Sequence, residues 1–330
     1  MRVFLTGASG FIGGHLLREL LVRGAAVRCL VRDPERFRQP PPGDVEVVTG
    51  DLRDAESLAG RLDGCEVLYH CAADYRLYAR HPEELHESNV EGTYNILAAA
   101  AEAGVSRTVY TSSVGALGWL RDGAPADEET PVALDDMVGY YKRSKFLAER
   151  VADEWLDKGL PLVIVNPSTP VGEADVKPTA TGRLILDFLQ RRVPAYVETG
   201  LNLVDVRDVA IGHVLAAEKG RLGERYILGH RDMSLREIYA MLGRIAGLPA
   251  PKVRLPHVVP LAFGAVDTAL ARLLGRQPRV PLEAVRLARH KMYFSSAKAV
   301  RELGLPQTPV EEALERAVEW FRANGYVESA

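Results

Sequence analysis

Apolar residues run from Val3 to Leu5, glycines follow at intervals of three (Gly7, Gly10, Gly13), and Phe11 to Arg23 carries helical periodicity until Gly24. This pattern predicts a buried strand, a tight turn and a helix. Comparable apolar runs return at Ala26–Val31, Val45–Val48, Val67–Ala73, Arg107–Tyr110 and Pro161–Val165, with helical stretches between them, including Pro82–Ala103 and Tyr140–Asp157. Six strands alternating with helices predict an α/β fold, a doubly wound parallel sheet with helices on both faces. Beyond residue 167 the texture changes. Leu203–Val206 and Tyr226–Leu228 read as short strands around a helix, Asp208–Lys219, that returns to the first lobe. Ser234-x-x-Glu237 is a capping box for a helix through Ala246, closed by Gly247. Further helices are expected over Leu282–His290, Ser296–Leu303 and Pro309–Asn324. The predicted organisation is a large lobe of residues 1–167 with about 203–229, and a smaller, mainly helical lobe of 168–202 with 230–330.

Composition narrows the partners. The 330 residues carry 41 basic and 44 acidic side chains, net −3, which removes the electrostatic case for nucleic acid and favours a small molecule. Three cysteines, Cys29, Cys65 and Cys71, make no paired framework and read as free thiols in a reducing cytoplasm. The start has no apolar leader region. Val258–Leu274 is nearly apolar, but Asp267 and Arg272 interrupt it and it is too short to span a bilayer, so it reads as a lobe-forming helix, with an interfacial helix that touches lipid as the alternative, and no transmembrane segment is expected. None of the eight histidines has metal-ligand spacing, and no metal is expected. Nothing opposes a homodimer.

The glycine turn has a chemical reading. Gly7 permits the turn, Gly10 admits close backbone approach, and Gly13 lets the helix lie against the strand. A pyrophosphate would sit at the helix N-terminus, in a turn shared by Ser9, Phe11 and Ile12. At the end of the second strand, where an acid would meet a ribose 2'-hydroxyl, stand Val31 and Arg32; an arginine suits a 2'-phosphate. This favours NADP(H), with NAD(H) as the alternative. Asp51, at the end of the third strand, is placed to accept from the adenine amino group, and Asp54 to cap the next helix. Ala72 and Ala73 are small residues where a cofactor would lie against backbone. Asp74–His81, with Tyr75, Leu77 and Tyr78, reads as a substrate lip.

Tyr141 and Lys145 stand four residues apart on one helix face, where a cation favours the phenolate. With the turn and with Thr111-Ser112-Ser113 at a strand end, these residues resemble the extended short-chain dehydrogenase/reductase family, of the NAD-dependent epimerase/dehydratase type. The resemblance runs from residue 3 to at least 229 and includes Asp51-Leu52, Ala72-Ala73, Pro167 and Val206-x-Asp208. SNVEGTYN (88–95), DDMVGYYKRSK (135–145), NPSTPVG (166–172), ERYILG (224–229) and KMYFSSAKAVRELG (291–304) resemble the dihydroflavonol-4-reductase-like proteins and those called hopanoid-associated sugar epimerases. The resemblance implies a Rossmann-type lobe binding the dinucleotide, with Leu52, Pro167 and Ser168 beside it. It implies Tyr141 as general acid/base and Lys145 as the group that lowers its pKa and binds the nicotinamide ribose. Ser113 would bond the substrate carbonyl, Ser112 being the fallback, and Asn89 would hold a helix kink and a relay water.

The substrate is then a carbonyl compound undergoing net reduction, or a nucleotide sugar undergoing epimerisation or dehydration with the cofactor recycled. A non-catalytic dinucleotide sensor is the minor alternative. No cation stands in Thr199–Val204, where a nucleotide-sugar enzyme of this family carries an arginine, and the apolar lobe suits a ketone or aldehyde. Asn166, by contrast, would suit a phosphate.

Overall fold

The computed structural model describes residues 1–37, 41–76, 78–120, 122–278 and 280–327. Its first half alternates β1 (Arg2–Thr6), α1 (Phe11–Val22), β2 (Ala26–Val31), β3 (Val45–Thr49), β4 (Val67–His70), α2 (Glu83–His86), α3 (Gly92–Glu102), β5 (Arg107–Thr111), α4 (Gly139–Asp157) and β6 (Leu162–Pro167). Shorter pieces follow: β7 (Thr169–Val171), α5 (Ala180–Leu189), β8 (Ala195–Val197), β9 (Gly200–Asp205), α6 (Val206–Lys219), β10 (Arg225–Leu228), β11 (Arg231–Ser234), α7 (Leu235–Ala246) and β12 (Val253–Leu255). The chain closes with α8 (Val258–Leu274), α9 (Leu282–Leu287), α10 (Ala297–Leu303) and α11 (Val310–Ala323).

The large sheet has the order β10-β6-β5-β4-β1-β2-β3, with every neighbouring pair parallel. This is the Rossmann-type, doubly wound arrangement. Strand order reverses between β1 and β4, and the crevice at their carboxyl ends is where such sheets take a ligand. β4 and β6 are buried at every position, as strands covered on both faces must be. Leu16, Leu17 and Leu20 of α1 join Val209 and Val214 of α6 in the core on one face. Ile96 and Leu97 of α3 join Ala148 and Ala152 of α4 on the other. The second core, around Leu186, Phe188, Leu242, Leu314 and Phe321, gathers α5, α7 and α11 against a three-stranded sheet, β11-β9-β7.

β4 ends at His70 rather than Ala73, and the Ala72 N–H donates to Thr6 Oγ1 (3.1 Å) instead of to a neighbouring strand. The helix expected through Pro82–Ala103 is interrupted by a π-helical turn at Glu87–Glu91, centred on Asn89. Leu203–Val206 does not rejoin the large sheet with its partner. Only β10 does so, while β9 pairs antiparallel with β11 and parallel with β7, and Val206 already belongs to α6. The reason is β11, a polar segment with Met233 alone fully buried, whose pairing with β9 no hydrophobic alternation announces. The capping box forms as read: Ser234 Oγ accepts from Glu237 N (3.2 Å), Glu237 Oε2 accepts from Ser234 N (2.8 Å), and Gly247 is left-handed.

The apolar stretch 258–274 is helical, as expected, yet its apolar side is not used by the lobe. Asp267 is turned inward, accepting from Arg276 (2.6 Å) and Val280 N (2.9 Å), while Val258, Val259, Phe263, Val266, Leu270, Leu273 and Leu274 are exposed. Among the described residues no helix is long and apolar enough to cross a membrane.

Candidate active site

The glycine turn is closed by backbone packing. Gly7 is left-handed (φ 78°), and a Cβ there would lie 2.7 Å from Ala72 N; a Cβ on Gly13 would lie 2.1 Å from the Gly7 carbonyl. The Gly10 N–H donates to that carbonyl (2.8 Å), and Gly10 opens α1 with no side-chain cap and no acid in the first turn. The first-turn N–H groups are therefore left for an anion. Ser9 is exposed at the turn, with Phe11 and Ile12 half-buried behind it. A dinucleotide's pyrophosphate fits this cradle.

Arg32 follows β2 exposed to solvent, with no hydrogen bond among the described residues. Asp51, expected at the adenine, holds its neighbour Arg53 (2.6 Å to one oxygen), and that bond keeps its carboxyl below the ordinary range. Arg32 adds to the pull from a distance. The Leu52 carbonyl accepts from Asn95 Nδ2 (2.9 Å), and Asp54 accepts from Glu56 N (3.1 Å), opening a short 3-10 turn.

Asn89 is a clamp. Its Oδ1 accepts from Asp74 N (2.7 Å), and its amide donates to the Asp74 carbonyl (2.9 Å) and to Ser144 Oγ (2.9 Å), tying the loop after β4 to α4. With both amide hydrogens held by protein, none is left to donate to a relay water. The Asn89 carbonyl accepts from Thr93 Oγ1 (2.6 Å), which meets His70 Nε2 (3.1 Å), while Thr6 Oγ1 meets His70 Nδ1 (2.8 Å). Since the Thr93 proton goes to a carbonyl, His70 carries its own proton on Nε2 and accepts at Nδ1. Burial, reinforced by the Lys145 charge, lowers its pKa to about 3. His213 on α6 is also buried, donates from Nδ1 to the Val209 carbonyl (2.7 Å), meets Thr111 Oγ1 (2.9 Å) at Nε2, and is lowered to about 4 by burial.

Tyr141 lies in the first turn of α4, half-buried, and Ser113, just past the end of β5, stands close enough to favour its phenolate, while Ser113 Oγ accepts from Gly115 N (2.9 Å). Ser112, the fallback, points elsewhere: it is buried and donates to Glu149 Oε2 (2.5 Å). Lys145 is buried one turn past Tyr141, donating to the Thr111 carbonyl (2.8 Å) and Tyr110 (3.3 Å), with its pKa brought to about 8 by burial. Burial raises the Tyr141 phenol above its ordinary value, against the opposing influence of Ser113. Behind Lys145, Glu149 is buried and engages Arg225 Nε (2.6 Å) as well as Ser112. Cys71 Sγ lies 3.0 Å from Thr111 Oγ1, whose proton goes to His213 Nε2, and burial pushes that thiol up to about 12.

On the far side, Pro167 closes β6 and Ser168 donates its N–H to the Leu228 carbonyl (3.0 Å); Ser168 Oγ is buried with no partner among the described residues. Asn166, read as a phosphate donor, is wholly buried and gives its amide to the Ser113 carbonyl (3.1 Å) and Glu149 (3.3 Å), so that reading fails. Of the lip residues, Tyr75 is exposed with its hydroxyl on the Lys177 carbonyl (3.3 Å), Tyr78 is half-buried, and Leu77 lies outside the described residues. The sequence reading missed Lys142. It is buried against Gly115, with Nζ 5.1 Å from the Trp119 ring centroid and 3.7 Å from Met292 Sδ, and burial lowers it to about 8. Among the described residues no three His, Cys, Asp or Glu side chains gather to hold a metal.

Comparison with known proteins agrees with this arrangement. Residues 3–229 match the NAD dependent epimerase/dehydratase family. A protein of Synechocystis sp. named "Putative dihydroflavonol 4-reductase" is 48% identical over 330 residues, 99% of this chain and 96% of its own. Sterol demethylase protein B of Methylococcus capsulatus is 35% identical over 99% of this chain and 100% of its own. The crystal structure of gox2253 superposes with a TM-score of 0.87 at 45% identity, covering 99% of both chains. The chain belongs to the NAD dependent epimerase/dehydratase family, in which it stands with the dihydroflavonol-4-reductase-like proteins.

Proposed function

We propose that this enzyme reduces a ketone or aldehyde with NADPH. The observation that carries the reading is the placement of Ser113 beside the Tyr141 phenol, with Lys145 buried one turn along the same helix. When bound, the dihydronicotinamide supplies the hydride. Ser113 and Tyr141 hold the carbonyl oxygen, and Tyr141 gives that oxygen its phenolic proton as negative charge develops there. Lys145 keeps its ammonium beside the Thr111 carbonyl and offers its remaining donor to the nicotinamide ribose. Substrate lies between the lobe of residues 1–167 with 203–229 and the lobe of 168–202 with 230–330, with Tyr75 and Tyr78 at the entrance.

Net reduction is favoured over epimerisation or dehydration of a nucleotide sugar because the Asn166 amide nitrogen already donates to the Ser113 carbonyl and Glu149, and β9 carries no cation to meet a diphosphate. A nearly full-length relative supports it, the protein named "Putative dihydroflavonol 4-reductase". Incubation with NADPH and a panel of apolar ketones and aldehydes is expected to consume nicotinamide absorbance in step with alcohol formed. Sugar-nucleotide isomers appearing with no net change in cofactor would overturn the reading in favour of the epimerase, and cofactor binding without turnover of either class in favour of the sensor.

NADPH is preferred to NADH in this reading because Arg32, exposed at the end of β2 with no hydrogen bond among the described residues, meets the 2'-phosphate with a planar fork. Arg32→Ala is expected to weaken NADPH binding about tenfold to a hundredfold, the range of a hydrogen bond to a charged group, and to leave NADH nearly untouched. Equal losses in a fluorescence titration of both cofactors would remove Arg32 from this role.

A further inference from the structure

We propose that α8 is a docking surface for an anionic lipid bilayer, on which the enzyme lies without crossing it. Val259, Phe263, Val266, Leu270 and Leu273 recur at alternating intervals of four and three, which places them along one stripe of the helix, and all five are exposed. Phe263 is 57% and Leu273 81% exposed, with Val258 and Leu274 exposed at the two ends. The opposite side is finished inside the lobe: Asp267 is held by Arg276 and Val280 N, and Thr268 Oγ1 accepts from Leu282 N (3.1 Å). The helix thus has one satisfied face and one that meets water at the cost of exposing large side chains.

Charge selects the occupant. Residues 250–291 hold eight Lys and Arg against two Asp and Glu, in a chain whose net charge is −3. Lys252 and Arg254 precede the helix, and Arg276, Arg286, Arg289 and Lys291 follow it, all exposed; Arg80 lies beside Gly275 at its end. A second copy would bring the same cations to the same contact. It would also bury little, since a 17-residue helix is about 25 Å long and a stripe about 10 Å wide covers roughly 500 Å² over two copies, below the ~1,000 Å² of a specific interface. An anionic headgroup layer instead pairs with the cations while the stripe enters the acyl boundary, the arrangement of an interfacial helix. The same segment borders the catalytic helix: Glu283 of α9 packs on Gly139 at the start of α4, and Met292 touches Lys142. Docking is independent of which carbonyl is reduced.

Flotation with vesicles tests this. The full chain is expected to float with phosphatidylcholine vesicles containing phosphatidylglycerol, much less with pure phosphatidylcholine, and to be released by molar salt. The double variant Phe263→Glu, Leu270→Glu is expected to lose partitioning at least about a hundredfold, from two lost apolar burials, while keeping its thermal midpoint and NADPH binding. Failure of the wild type to float with anionic vesicles overturns the proposal. So does sedimentation of the wild type as a dimer that the same two substitutions dissociate, which would assign the stripe to a second copy. Neither result bears on carbonyl reduction, which is read separately with soluble substrates.

Discussion

Tyr141→Phe is expected to lower carbonyl reduction about 10²- to 10⁴-fold, the usual worth of a positioned proton donor, and to leave NADPH binding unchanged. The phenol stands above its ordinary pKa because burial outweighs the influence of Ser113, so at neutral pH it is a protonated donor, the form a reduction requires. Removing the oxygen alone keeps the ring and its packing. Single-turnover rates with NADPH in excess separate the chemical step from cofactor binding. A variant that keeps the native rate would take Tyr141 out of proton transfer, and one that loses NADPH affinity in proportion would make it a binding residue.

Stability is expected to fall steeply as the solution is acidified below about pH 6.5, before most carboxylates titrate. His70 and His213 are buried and lowered to about 3 and about 4, whereas both titrate near ~6.5 in the unfolded chain. Between those values the unfolded state binds more protons than the folded one, so stability rises with pH through the window and is lost as pH drops. Two such groups give a slope of up to about 3 kcal/mol per pH unit. Urea midpoints from pH 7 to 5 measure it, and His70→Gln should flatten the slope even if it lowers stability at every pH. A midpoint independent of pH in the native protein would show that these histidines find protons, or water, without unfolding.

The readable parts of this molecule are those whose physics is local. β1, the glycine turn and α1 are contiguous, and each glycine's need is met within a few residues or by the adjacent strand. The Ser234 box and Gly247 are local too. The Tyr141–Lys145 spacing is legible because a helix fixes it, but what each side chain faces is not. Lys145 turns to the end of β5, Glu149 to an arginine 76 positions on, and Asn89 joins a loop 15 residues back to a helix 55 residues ahead. Lys142 reads as one more cation in a charged run, and only the fold buries it. β9 was misplaced for the same reason, since its partners are short strands from two other parts of the chain.

The placement of Cys71 also governs the site's chemistry toward reagents. A partly exposed cysteine close to the buried Lys145 invites comparison with reactive thiols, but nucleophilic attack needs the thiolate. With its thiol at about 12, only about one molecule in 10⁵ carries the thiolate at pH 7. The Thr111 hydroxyl beside the sulfur and the Lys145 charge nearby are too weak to reverse what burial imposes. Alkylating agents and peroxide therefore find a poor target there. Enzyme handled without reducing agent keeps its nucleotide crevice chemically intact, and an electrophilic inhibitor of this site would have to be aimed at an amine instead.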